Sequence, residues 1–281
     1  MKPPVVVVGV DGSPASLEAV EAAAVEARLR GAVLRLVHAF VWPGMHVPTG
    51  PSLLGPVGGA LREDVERVID DAVRRAGVRA PDVEVVHAVV AGEPLAVLEA
   101  ESREAALVVV GSRGMGRITG AFVGSVAVHL AGHSRSPVLV VRGRARPEGP
   151  LLVAADGSEE SRAAVGFAAS EAALRDGGLL IVHVCADARP GRSRAEGERV
   201  LAEALAVAGR AGGPEGGTTT RLLAGEVSRV LVECGEGAQL LVMGARGRGG
   251  FAGLLLGSVS QDVLRHAACP VAVVRGGPDR R

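Results

Sequence analysis

Two stretches of the chain combine residue types and spacings that could hold an anion. Gly111-Ser112-Arg113-Gly114 follows the apolar run Leu107-Val108-Val109-Val110, and Gly124-Ser125-Val126 stands nine residues beyond Gly114. This Gly-x2-Gly-x9-Gly-Ser spacing recurs 133 residues later at Gly244, Gly247, Gly257 and Ser258, behind Leu240-Leu241-Val242-Met243. Each copy reads as a buried strand, a glycine-rich loop and a helix start. Glycines at 111, 114 and 116 let the backbone approach a ligand closely and turn its N–H groups toward negative charge. A helix opening at Gly124-Ser125 adds free N–H groups and the positive end of its dipole. Ser125 could cap that helix or donate its hydroxyl to a phosphate. Arg113 and Arg117, with Arg246 and Arg248 in the second copy, could supply positive charge. Binding of a phosphate chain is the chemistry these residues suit. A tight strand-to-helix connection would use the same glycines with no ligand, and duplication alone does not separate the two readings.

The elements that must position these loops follow from apolar periodicity. Val5-Val6-Val7-Val8-Gly9-Val10 is a continuous apolar run, as in a parallel strand covered on both faces. Asp11-Gly12-Ser13-Pro14 ends it; Ser before Pro predicts an N-cap and a helix over 14–30 that stops at Gly31. A second strand at 33–39 leads into an irregular stretch, 40–59, holding four prolines, five glycines and Trp42. A helix over roughly 60–76 and a third strand over 83–90 follow. Ala91-Gly92-Glu93-Pro94 then opens a helix running to about 104, and the fourth strand enters the first glycine loop. A last helix and a fifth strand at 137–141 complete the unit. Strands alternating with helices imply a doubly wound parallel sheet.

Residues 142–150 have no periodicity and read as a linker, after which the pattern restarts. Asp156 repeats Asp11 and His183 repeats His38 at an offset of 145, whereas features from Ala224-Gly225-Glu226 onward repeat at 133. The second copy is therefore 12 residues shorter, a loss expected mainly in the loop around Trp42. Two α/β domains result, over 1–143 and 150–275, each of ordinary domain size. The proline-valine strands at 137–141 and 270–274 are the expected contact between them, since an unpaired edge strand invites association.

Composition limits the function. Lys and Arg number 31 and so do Asp and Glu, giving a formal net charge of zero with no basic cluster, which argues against nucleic acid as a partner. No apolar run approaches the ~20 residues of a membrane span, and no signal peptide is evident, so a cytoplasmic chain is expected. Cys185, Cys234 and Cys269 are an odd number without a Cys-x2-Cys pair, indicating neither a disulfide framework nor a thiolate metal site. Lys2 is the sole lysine, so the folded region lacks the lysines that P-loop, kinase and Schiff-base chemistries require.

The Asp ending the first strand, the Gly-x2-Gly-x9-Gly-Ser after the fourth and the Pro-Val strand closing each half together resemble the universal stress proteins, and the resemblance covers both halves. It implies a 3-2-1-4-5 strand order, ATP binding and two domains paired within one chain, with a homodimer of the whole chain left open. Carried over by position, Asp11 and Asp156 would contact ribose, and backbone at Val10, Ala39, Ala155 and Val184 would surround adenine. Gly111, Arg113, Gly114, Gly124, Ser125 and Val126 would take the phosphates in one half. Gly244, Arg246, Gly247, Gly257, Ser258 and Val259 would do so in the other. Relatives that bind ATP usually carry a further hydroxyl or amide three positions after the glycine of the Gly-Ser pair. The second half has Ser260 there and the first has Ala127, so the first site is expected to be the weaker, by roughly tenfold or more. Mg2+ could arrive with the nucleotide.

His38 and His183 read as hydrogen-bonded structural residues, because neither has a sequence-evident nucleophile or carboxylate partner. His133 and His266, near the end of the last helix of each half, suit the negative end of its dipole. Asp11 and Asp156 could also be local turn formers. The favoured function is nucleotide-dependent stress response without turnover. Slow ATP hydrolysis or phosphotransfer, cyclic AMP binding, and an interaction module with empty loops are the alternatives.

Overall fold

The structure, a computed structural model, describes residues 3–40, 57–114, 123–185, 192–214, 217–249 and 255–276. The first half runs β1 (Val5–Gly9), α1 (Pro14–Arg30), β2 (Val33–Phe40), α2 (Val57–Arg79), β3 (Val85–Ala91), α3 (Pro94–Glu101), β4 (Leu107–Gly111), α4 (Ser125–His133) and β5 (Val138–Val141). The second repeats it as β6 (Leu151–Ala154), α5 (Glu159–Leu174), β7 (Leu179–Cys185), α6 (Arg192–Arg210), β8 (Thr218–Ala224), α7 (Val227–Gly235), β9 (Leu240–Gly244), α8 (Ser258–His266) and β10 (Val271–Val274). One ten-stranded sheet results, ordered β3-β2-β1-β4-β5-β10-β9-β6-β7-β8, so each half has the expected 3-2-1-4-5 order. Pairing is parallel except where the halves meet. There β5 and β10 run antiparallel, with Leu139 opposite Ala272, as expected of the two proline-valine strands.

The valine run of β1 is buried on both faces. Val6 and Val8 pack with α1, whose Ala19, Ala23 and Ala27 are wholly buried, while Val7 packs on the other side with α3 and α4. Burying each such valine is worth about 1.5–3 kcal/mol. Alanine at the α1 contact positions lets that helix lie close to the sheet, which fixes where its N-terminus stands. The Ser13 hydroxyl accepts from the Ser16 N–H, Pro14 takes the first turn, and Gly31 closes the helix in the left-handed conformation at φ 56°. Ser158 caps α5 in the same way through the Ser161 N–H.

Three elements differ from sequence expectation by more than one residue. Helix α2 is longer at both ends than 60–76, and β3 begins at Val85 and not at 83. Helix α3 stops at Glu101 and not near 104, because wholly buried Ser102 is tied to the lead into β5 through the Arg135 N–H, which donates to Ser102 Oγ at 3.0 Å. The stretch around Trp42, 41–56, lies outside the described residues, as do Gly116 and Arg117. The shorter second half does lose most of its length there: sixteen residues separate β2 from α2, and six separate β7 from α6. No helix among the described residues is long and apolar enough to cross a membrane.

Away from the strand contact, the halves also meet through four charged side chains at the C-terminal ends of α1 and α5. Arg30 pairs with Glu26 on its own helix and with Glu171 across the junction, and Arg175 pairs with Glu171 and reciprocally with Glu26. All four side chains are at most 10% exposed. Burial opposes the charge on Arg175, but Glu26 and Glu171 outweigh it and raise its pKa.

Candidate functional site

Strand β1 lies between β2 and β4, and the chain leaves its carboxyl end toward one side while β4 sends its chain toward the other. Such a reversal opens a crevice beyond the strand ends. A cavity of about 430 Å³ occupies it, lined by Val10, Asp11, Ala39, Gly111, Arg113, Gly114, Gly124, Ser125 and Val126 among others. The equivalent cavity between β6 and β9 measures about 750 Å³ and is lined by Ala155, Asp156, Val184, Gly244, Arg246, Gly247, Gly257, Ser258, Val259 and Ser260. Every site residue expected from sequence therefore faces one of two matched cavities, apart from Gly116, which lies outside the described residues.

Asp11 does two jobs. Its Oδ1 accepts from the Ser13 N–H at 2.9 Å, forming the turn that sends the chain from β1 into α1, and Gly12 completes that turn at φ 82°. A Cβ on Gly114 would stand 2.8 Å from Asp11 Oδ2, so the glycine loop lies directly against the carboxylate. Asp156 repeats this: the Ser158 N–H donates to its Oδ1 at 2.8 Å, and the Arg248 N–H to its Oδ2 at 3.0 Å. Each carboxylate thus forms the turn with one oxygen and lies against the glycine loop with the other.

The histidines at the strand-two positions shape the rim. His38 Nδ1–H donates to the Val10 carbonyl at 2.8 Å, and His183 Nδ1–H to the Ala155 carbonyl at 2.6 Å; a carbonyl only accepts, which fixes the proton on Nδ1. The Val10 and Ala155 N–H groups are engaged as well, with Val37 and Val182. The backbone that flanks the crevice is consequently held rigidly, in keeping with the structural role read from sequence.

The loop glycines have separable causes. A Cβ on Gly111 would fall 2.6 Å from the Ala15 carbonyl oxygen, and one on Gly114 against Asp11, so packing of the loop on α1 and β1 accounts for both. Gly244 and Gly247 are constrained likewise by Glu160 and Asp156. Gly124 and Gly257 differ. Their φ values, −59° and −70°, suit any residue, and an added Cβ would meet nothing nearer than 3.6 Å and 3.4 Å, an ordinary contact. Each precedes a helix and makes no side-chain cap. Their lack of a side chain leaves open space at the first N–H groups of α4 and α8.

Three features escaped sequence reasoning. Pro94 and Leu98 of α3 form an apolar wall of the first cavity, as Val227 and Leu231 of α7 do in the second; the constant offset of 133 was the available signal. Buried Ser260 donates its proton to the Gly244 carbonyl at 3.0 Å, a bond it must exchange to serve a phosphate, so its advantage over Ala127 is smaller than a free hydroxyl would give. Finally, Glu160 at the start of α5 binds the loop: the Arg246 N–H donates to its Oε2, and Arg246 Nε and Nη2 approach Oε1 at 2.9 Å.

Cys269 is wholly buried beneath the sheet, and burial pushes its thiol up to about 11. Among the described residues no group of three or more His, Cys, Asp or Glu could hold a metal ion.

A family model described as "Universal stress protein family" matches residues 4–142 and again 149–275. A universal stress protein of Mycobacterium tuberculosis is 37% identical over 289 residues, with 96% of each chain covered. One from Mycolicibacterium smegmatis is 34% identical over 285 residues, again with 96% of each chain covered. The crystal structure of a universal stress protein from Archaeoglobus fulgidus matches with a TM-score of 0.74 at 21% identity, covering 99% of this chain and 98% of that one, a likeness of fold.

Proposed function

The chain belongs to the universal stress protein family, and from that premise we propose that each half binds an adenine nucleotide, with ATP the ligand of the first, as a cytoplasmic regulator whose occupancy alters its conformation or partners. The observation that carries the reading is the pair Gly124 and Gly257. Loop packing explains the other motif glycines without a ligand, whereas these two stand in backbone conformations open to any residue and leave room at helix N-termini. A phosphate chain is what such room suits: free N–H groups and the helix dipole favour negative charge there.

The remaining parts fit a nucleotide laid from the β2 side toward the glycine loop. Ala39 and Val184 offer apolar contact and backbone groups to a base, Asp11 and Asp156 offer carboxylate oxygens to ribose hydroxyls, and Gly124-Ser125-Val126 and Gly257-Ser258-Val259 offer N–H groups to phosphates. Mg2+ would arrive on the phosphates, without a preformed protein cage. Extraction of the purified protein with identification of the released nucleotide, followed by a single-turnover assay, tests this. Intact ATP supports the regulator, release of ADP supports a hydrolase, recovered cyclic AMP changes the ligand, and no saturable binding of any adenine compound defeats the reading. Assembly of the whole chain into a homodimer is a separate expectation that analytical ultracentrifugation would decide.

A further inference from the structure

The two cavities share nearly every lining position, yet the charges around their loops differ. In the second half, the carboxylate of Glu160 takes the Arg246 N–H and both Nε and Nη2 of its guanidinium. Glu160 is 8% exposed and wedged between the loop and the chain leaving β10, since a Cβ on Gly244 or on Gly276 would each approach it within 3.2 Å. The other arginine of this loop, Arg248, is ion-paired with Glu196 of α6. Both cations that could meet a phosphate chain therefore already have a carboxylate partner in the protein. In the first half the position of Glu160 is Ala15, whose backbone packs on Gly111 as Glu160 packs on Gly244. Arg113 lines that cavity with no carboxylate supplied by the start of α1.

We propose that Glu160 sets the ligand class of the second site, so that this half takes an adenine ligand of low phosphate charge, a nucleoside or monophosphate, while the first half takes the di- or triphosphate. The inference rests on nucleotide binding in both halves. Its physical basis is charge. Glu160 holds Nε and Nη2 of Arg246 and offsets its positive charge, so a phosphate meeting the remaining guanidinium N–H groups gains less from them, and the nearby carboxylate repels a polyphosphate more than a ligand of low charge. The base and ribose ends of the cavity do not involve Glu160, so adenosine should be indifferent to it. The larger volume of the second cavity does not offset this, because phosphate affinity follows donors and charge and not space.

The test uses the intact chain with the first cradle closed by Gly124→Asp, titrated calorimetrically with adenosine, AMP and ATP. ATP is expected to bind no more tightly than AMP. Glu160→Gln, which keeps size and removes charge, should strengthen ATP binding by about tenfold to a hundredfold and leave adenosine within about twofold. The reverse graft, Ala15→Glu in a chain whose second cradle is closed by Gly257→Asp, should weaken ATP by about the same factor and spare adenosine; it decides the matter even if Glu160→Gln fails to fold. An ATP-to-adenosine affinity ratio that neither substitution changes would overturn the proposal. Binding of adenosine with an unmoved ratio would do so while sparing the nucleotide reading, whereas failure of adenosine, AMP and ATP alike to bind the wild-type chain would defeat both.

Discussion

Replacing Gly124 by Asp should separate stability from binding in a way that only a ligand site explains. Gly124 is the N-cap of α4, at φ −59° and with no side-chain cap, and a Cβ there would sit 3.6 Å from Arg113 Cα and from the Ser112 carbonyl oxygen, so the backbone admits the change. Aspartate is among the better N-caps, a few tenths of a kcal/mol above glycine, and its charge complements the helix dipole. The fold should be unchanged or slightly stabilised, with Tm moving by at most about 2 °C. The same carboxylate would occupy the space assigned to phosphate. A unit negative charge ~5 Å from a phosphate charge, at an effective dielectric constant of ~20, costs about 3 kcal/mol, or roughly a hundredfold in affinity at the first site. Calorimetric titration of ATP beside a thermal melt reads both quantities. Undiminished ATP binding at the first site in a folded variant would refute the reasoning, and so would a loss of binding accompanied by a large loss of stability.

Other consequences can be measured on the same footing. Arg175→Met should destabilise the chain by about 3 kcal/mol in denaturant titration, because it leaves Glu26 and Glu171 buried and under-compensated between α1 and α5; a change below ~1 kcal/mol would show the four-charge cluster to be incidental. Burial raises the Cys269 thiol from the ordinary 9.0 to about 11, so the stability that its neutral form contributes is intact below pH ~9 and lost as pH climbs through ~11, by about 3 kcal/mol. The chain has no tyrosine and one lysine, so few other groups confuse that window; the fall should be blunted in Cys269→Ala, and an identical slope in both proteins would contradict it. His38→Phe should weaken adenosine binding about tenfold, by freeing the Val10 carbonyl that the imidazole holds; an unchanged affinity in the folded variant would show that the imidazole does not position the rim.

The fold was legible because its determinants are local and repeated. Val5 to Val8 declare a strand covered on both faces, Ser13-Pro14 and Gly31 bracket α1, and the offsets of 145 and 133 expose the duplication without any knowledge of contacts. The cavity residues were legible for a related reason, since strand-end Asp and loop glycines announce themselves by type. What stayed hidden depends on direction and distance. Glu160 reads as an ordinary acidic residue in a first helical turn, and nothing local reveals that it grips Arg246, 86 residues away. Ser260 was identifiable as a hydroxyl, but whether its proton points to a phosphate or to the Gly244 carbonyl is a matter of rotamer. The Glu26–Arg30 pair looks like a surface i,i+4 couple until its copy on α5 is laid across it.

A crystal structure of the chain grown with ATP would show where the nucleotide lies. Adenine is expected beside Ala39, ribose hydroxyls on Asp11 and phosphates against the N–H groups of Gly124, Ser125 and Val126, in the space that Gly124 leaves open. Density for the nucleotide elsewhere on the molecule, or a crevice holding only water at saturating ATP, would contradict that placement.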